Sequence, residues 1–224
     1  MTVEAVIFDW GGTLTPWHSV DSLGSWLAAA GDEERAIRLQ EAERAVWLRC
    51  IDEHRSASIA DVFAEAGIEP TPQMLAAFHE WWEPHTYLDP DVEPLFAGLH
   101  ERGIKIGVLS NTIWPGAEHD RIFERDQVLS LIHGTVYSSE IPWTKPHPEA
   151  FRAAMAAVGV GDPAHAVFVG DRPFEDVHGA KLAGMRAVLV PHSDLPPEQL
   201  RPVDTEPDAV IDRLIELLDL VDRW

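Results

Sequence analysis

The stretch VEAVIFDWGGTLT, residues 3–15, decides how the rest of the chain is read. Five of the six residues from 3 to 8 are apolar, the run stops at Asp9, and Gly11 and Gly12 follow at once. A short apolar run closed by glycines reads as a buried strand entering a tight turn. Similar runs recur at 104–109, 166–169 and 187–190, ending in Ser110-Asn111, Gly170-Asp171 and Pro191. Helical periodicity occupies 91–102, 116–126, 148–158 and 176–183 between and after them. Strands alternating with helices predict an α/β fold built on a doubly wound parallel sheet. Ligands of such sheets sit at the carboxyl ends of the strands. Asp9, Ser110 and Asp171 all fall there.

One long stretch breaks the alternation. Residues 20–82 contain no convincing strand. A helix is expected over 20–30, and Asp32 is placed to cap a long one running to His54, with Leu39, Val46, Trp47, Cys50 and Ile51 read as one apolar face. Ser58 with Asp61 resembles a capping box, and Thr71-Pro72 is a favourable helix start. These helices predict a small all-helical domain inserted after the first strand, hinged at Pro16 and 84–90. The expected division is a core of 1–16 and 87–224 and an inserted domain of 17–86. A proline-rich connection at 191–207 leads to a last amphipathic helix marked by Ile211, Leu214, Ile215 and Leu218.

Composition narrows the function classes. The chain has 224 residues, 46% of them hydrophobic, enough to build a packed interior. A formal net charge of −21 argues against nucleic acid and membrane surfaces as partners, because phosphates and anionic lipids are repelled. An anionic small molecule would need a local concentration of cations or a metal ion. Cys50 is the single cysteine, so no intrachain disulfide forms, and among apolar neighbours it reads as packing. The first residues lack the pattern of a signal peptide, and no apolar run is long enough to span a bilayer. A cytoplasmic location is expected.

Four clusters carry chemistry: Asp9 to Leu14, Leu109-Ser110-Asn111, Lys145-Pro146, and Gly170 to Asp176. A carboxylate can attack phosphorus to give an aspartyl-phosphate, splitting one difficult step into two. Two anions must then approach each other, so their charge has to be neutralised. Magnesium takes oxygen ligands and suits a site with few carboxylates. Asp9, Asp171 and a main-chain carbonyl near Gly11 would serve, Lys145 adds a fixed positive charge, and Ser110 and the amides of the glycine turn at Gly12 can donate to phosphate oxygens.

In this order, at strand ends, the four clusters resemble the haloacid dehalogenase superfamily over nearly the whole chain. The resemblance implies a Rossmann-like core and a helical cap between the first and second motifs. It makes Asp9 the nucleophile and has Ser110, Asn111 and Lys145 hold phosphate. It assigns magnesium to Asp9, the Gly11 carbonyl, Asp171 and Asp176, the last directly or through water. The expected substrate is a small phosphorylated molecule. One departure stands out. Family phosphatases carry a second aspartate two residues after the nucleophile as general acid, and that position is Gly11 here. The leaving group must then be one that departs without a donated proton. The alternatives are a dehalogenase-like hydrolase acting at carbon, and a catalytically weak member that binds a phosphorylated ligand or a protein.

Other residues lie close to these motifs. Trp10, Trp17, Trp114 and Trp143 are packing or an aromatic wall for the substrate, and His18, His119 and His147 are structural or substitutes for the missing acid. Arg44, Arg49 and Arg55 of the insertion are surface charges unless one reaches the cleft. Glu175 reads as solvated.

Overall fold

The computed structural model describes residues 2–16, 20–191, 193 and 201–224. Among them, no helix is long and apolar enough to cross a membrane.

The strands are β1 (Ala5–Phe8), β2 (Lys105–Ser110), β3 (Gly134–Tyr137), β4 (Ala166–Gly170), β5 (Arg186–Leu189) and β6 (Ala209–Val210), all parallel in one sheet of order β3-β2-β1-β4-β5-β6. The central β1 is wholly buried, so its apolar run is continuous instead of alternating. Its residues still divide by parity. Val6 and Phe8 join the cluster on one face of the sheet, Ala5 and Ile7 the cluster on the other. The first face is covered by α5 (Val92–Glu101), α6 (Gly116–Arg125) and α9 (Leu217–Val221), the second by α7 (Pro148–Ala157) and α8 (Gly179–Leu182). The chain winds outward to β2 and β3 on one side of β1 and to β4, β5 and β6 on the other. The crevice where the winding reverses therefore lies between the ends of β1, β2 and β4, below Asp9, Ser110 and Asp171.

Between β1 and α5 come α1 (Leu23–Ala30), α2 (Glu33–Glu53), α3 (Ile59–Ala66) and α4 (Pro72–Trp82), which pack around an apolar cluster of their own. Their boundaries follow the expected caps. The Asp32 side chain accepts from Arg35 N, Thr71 Oγ1 accepts from Met74 N, and Ser58 gives both its N–H and its hydroxyl to the Asp61 carboxylate. The single apolar face read for α2 divides in two. Leu39, Val46 and Cys50 enter the helical core, whereas Trp47 and Ile51 sit roughly a quarter turn round and line a cleft instead.

Two strands are absent from the sequence reading. β3 and β6 are short edge strands with half-exposed residues, so neither shows the buried apolar run that marked the others. The segment after Asp171 is a wide helical turn over Pro173–His178 that runs into the short α8, not one helix from 176. The last helix is likewise shorter than expected, with Leu214–Glu216 as a 3-10 turn and Ile211 in the core ahead of it.

Candidate active site

Asp9 follows the last residue of β1, Ser110 ends β2, and Asp171 follows the last residue of β4, so parallel pairing alone brings them to one end of the sheet. The turn after Asp9 closes through Trp10 O, which accepts from the N–H groups of Leu14 and Thr15. Gly12 has φ +88°, and a Cβ there would come within 2.6 Å of Asp171 Oδ2. Glycine is thus required both by the backbone and by the approach of the two strand ends. At Gly170 a Cβ would overlap the Asp176 carboxylate, which fits against bare backbone.

Lys145 lies almost out of solvent and donates to Asp9 Oδ1 at 2.7 Å and to Asp176 Oδ1 at 2.6 Å. Asp176 also accepts from Arg172 N at 2.9 Å. Thr13 Oγ1 reaches Asp171 Oδ1 at 3.3 Å, while Asp171 Oδ2 is buried without a well-formed hydrogen bond among the described residues, the Ser193 hydroxyl beside it pulling the carboxyl's pKa down. Burial pushes the Asp9 carboxyl above its usual range against the pull of Lys145, and Asp171 adds to the push. Burial raises Asp171 as well, with Asp176 reinforcing it, and burial raises Asp176 despite Lys145. Burial alone would lower Lys145, but Asp176 and Asp9 outweigh it and hold the ammonium above its ordinary value.

Three carboxylates share one ammonium, so the cluster is short of positive charge. Ligand atoms of Asp9, Asp171 and Asp176 all lie within 4.8 Å of one another, and all three residues are buried. Hard oxygen donors, excess negative charge and an unpartnered buried carboxylate oxygen together fit a divalent cation such as magnesium.

The other site residues divide. Ser110 is buried and lines the cleft above the cluster, as do Gly11 and Gly12. Asn111 also borders the cleft, but its amide is used on the main chain of Lys145: Nδ2 donates to Lys145 O at 3.0 Å and Oδ1 accepts from Lys145 N at 2.8 Å. Gly11 lies outside the left-handed region, and a Cβ there would meet nothing within 4 Å.

The cleft has a volume of about 720 Å³ and runs from this cluster to the inserted helices. Trp10 and Trp114 line it, whereas Trp143 stacks on His147 at 4.1 Å. His147 caps α7, its Nδ1 accepting from Glu149 N. His119 is fully buried behind Trp10, with ring centroids 4.6 Å apart, and burial depresses its pKa to about 4. A neutral, enclosed imidazole is no proton donor near pH 7. Trp17 and His18 lie outside the described residues. Arg44 borders the cleft, Arg49 pairs with Glu65 at 2.9 Å, and Arg55 makes a backbone bridge to Trp143. Glu175 also lines the cleft and is raised by burial, contrary to its reading as solvated.

Sequence reasoning missed Glu43, His54 and His85 as parts of the cleft wall, and gave no role to Thr13 and Phe174 within the first and fourth clusters. Position in the insertion carried no chemical signal. The one available hint was that α2 has apolar residues on two stripes where packing one core needs a single stripe.

A sequence profile described as haloacid dehalogenase-like hydrolase matches residues 3–184. The chain is 34% identical to a glyceraldehyde 3-phosphate phosphatase of Methanopyrus kandleri over 69% of this chain and 67% of that protein. It is 30% identical to a Mycobacterium tuberculosis protein named as a phosphatase, over 86% of this chain and 89% of that one. A crystal structure of a phosphatase from Thermococcus onnurineus shares the fold, with TM-score 0.68 and 22% identity over 98% of both chains.

Proposed function

We propose that this chain, which belongs to the haloacid dehalogenase-like hydrolases, is a magnesium-dependent phosphatase that forms an aspartyl-phosphate on Asp9 and acts on small phosphorylated molecules with good leaving groups. The observation that carries the reading is the buried Asp9–Lys145–Asp176 array at the floor of the cleft, with Asp171 Oδ2 beside it and unpartnered among the described residues. The phosphatase names of the two relatives favour phosphorus over carbon as the point of attack.

In this reading the Asp9 carboxylate attacks phosphorus, the bond to the leaving oxygen breaks, and that oxygen departs with the electron pair. Lys145 holds Asp9 and offsets the charge that gathers on the phosphoryl oxygens. Ser110 and the Gly12 turn donate to those oxygens. Asp9, Asp171, Asp176 and the Gly11 carbonyl would hold magnesium, which supplies charge neutralisation for the approach of two anions. Water then cleaves the acyl-phosphate and regenerates the carboxylate. No carboxylic acid stands at position 11 to protonate the leaving oxygen, so aryl, enol and acyl phosphates are the expected substrates. The helical insertion, residues 17–86, acts as the cap that closes over them and excludes water.

The test is covalent. Beryllofluoride should attach at Asp9 only in the presence of magnesium, and Asp9→Asn should bind phosphate without turnover. Turnover by Asp9→Asn would end the mechanism. Asp171→Ala should lose magnesium binding, read by calorimetry, together with activity. Gly11 also suits displacement of a halide from carbon, which needs no proton donor. Full wild-type activity in excess chelator, on haloacids and not on phosphate esters, would decide for that reading.

A further inference from the structure

We propose that Glu43 and the aromatic side chains beside it form a subsite for an ammonium group on the organic end of the substrate. The inference rests on the phosphatase reading of the Asp9 site and adds the class of molecule that site serves.

Glu43 lies on the cleft-facing side of α2, one helical turn before Trp47, and both line the cleft. Its carboxylate is half-buried and oriented by the Trp26 indole, whose Nε1 donates to Oε2 at 2.9 Å. Burial pushes the carboxyl above its usual range, and the groups that pull it back are the neutral donors Trp26 and Ser22, with no basic side chain among them. Among the described residues this half-buried carboxylate has no cationic partner, an arrangement that is unfavourable until a cation arrives.

The surroundings suit the same guest. The Trp26 ring lies 4.5 Å from that of Phe78, Phe78 lies 6.0 Å from Trp114, and Trp82 lies 6.2 Å from Trp114. Phe78, Trp82 and Trp114 line the cleft with Trp47. Aromatic faces attract cations through their quadrupoles, and a carboxylate next to them supplies the formal charge. The basic groups of the cleft have other places: His85 lies against Trp82 with ring centroids 5.9 Å apart, and His54 lies 6.3 Å from Phe174. Lys145 is bound to Asp9 and Asp176, Arg172 follows Asp171, and Arg44 is exposed, pointing about 100° round the helix from Glu43. With a divalent cation held by the floor carboxylates, the cleft would be bipolar, taking the phosphate at its floor and a cation on the cap. A protein of net charge −21 that must admit a phosphate gains from a substrate whose other end is positive.

The experiment uses the Asp9→Asn protein with magnesium, so that binding is read by calorimetry without turnover. The probes are phosphocholine, its neutral tert-butyl isostere in which carbon replaces the ammonium nitrogen, and inorganic phosphate. Phosphocholine should bind about ten-fold tighter than the isostere, the scale of a partly desolvated cation–aromatic contact. That ratio should fall towards one when Glu43→Gln is added, since Gln keeps an acceptor for Trp26 and removes only the charge. Equal binding of the two esters in the parent, or a ratio that survives Glu43→Gln, overturns the proposal. Binding of inorganic phosphate reports separately on the Asp9 site. If phosphate binds and the esters are not distinguished, the subsite alone is wrong; if no probe binds, the phosphatase reading falls with it.

Discussion

Replacing His119 by Phe should make the folded protein less sensitive to acid. His119 sits on α6 with no solvent exposure, stacked on Tyr137 with ring centroids 4.2 Å apart and edge-on to Trp10. Its Nε2 is buried without a hydrogen-bond partner among the described residues, so a charged imidazole would be stranded there, and its pKa drops from 6.5 to about 4. Between those two values the unfolded chain holds a proton on this ring that the folded protein does not. Stability therefore falls as pH falls through the window, and His119 contributes no slope above 6.5 or below about 4. Two and a half units at about 1.4 kcal/mol each make the full loss ~3 kcal/mol. The raised carboxyls of Asp9, Asp171 and Asp176 act in the opposite sense, because there the folded protein holds the extra proton. Their contribution cancels if wild type and His119→Phe are compared at each pH. Phe keeps the stacked ring and gives up only the long Nδ1 contact to Pro115 O at 3.3 Å, an acceptor that Glu118 N also serves. Urea denaturation from pH 4 to 8 should show a constant difference above pH 7. Below that, the variant should gain on wild type at up to about 1.4 kcal/mol per pH unit. Parallel curves across the whole range would refute the claim that His119 is held neutral by burial.

Two further outcomes are expected at the site. Gly11→Asp should fold, since its Cβ meets nothing within 4 Å and the backbone is not left-handed, and should raise turnover of alkyl phosphates by ~10²-fold or more while changing aryl phosphates little. An unchanged alkyl-to-aryl ratio in the folded variant would mean that another group already supplies the proton. Asn111→Leu removes both hydrogen bonds that hold the Lys145 main chain, at 3.0 and 2.8 Å, and should lower kcat by about ten-fold with ~1–2 kcal/mol lost from stability. A fall in phosphate affinity with kcat intact would instead make Asn111 a direct phosphate ligand.

What the sequence determined by itself was whatever short-range chemistry enforces. The buried runs ending in Asp9, Ser110 and Gly170-Asp171 placed three strands and the end of the sheet where ligands bind, because a parallel strand buried on both faces can be written only in apolar residues. Asp32, Ser58 and Thr71 marked helix starts because capping is a contact between residues two or three apart. Gly12 and Lys145 could be singled out, but not the reason for either. That Gly12 yields to the Asp171 carboxylate, or that Lys145 bridges Asp9 and Asp176, depends on residues 136 to 159 positions away or on a loop folding back across 31. Tertiary structure alone decided which stripe of α2 faces the cleft, since Trp47 and Val46 are equally apolar and differ only in what lies opposite them. It also decided that the Asn111 amide bonds to the main chain of Lys145 and that His119 lies buried against Trp10 and Tyr137. In each case the side chain's chemistry was visible from its identity, but its protonation and its partners were set by desolvation and by distant chain, which local pattern does not encode.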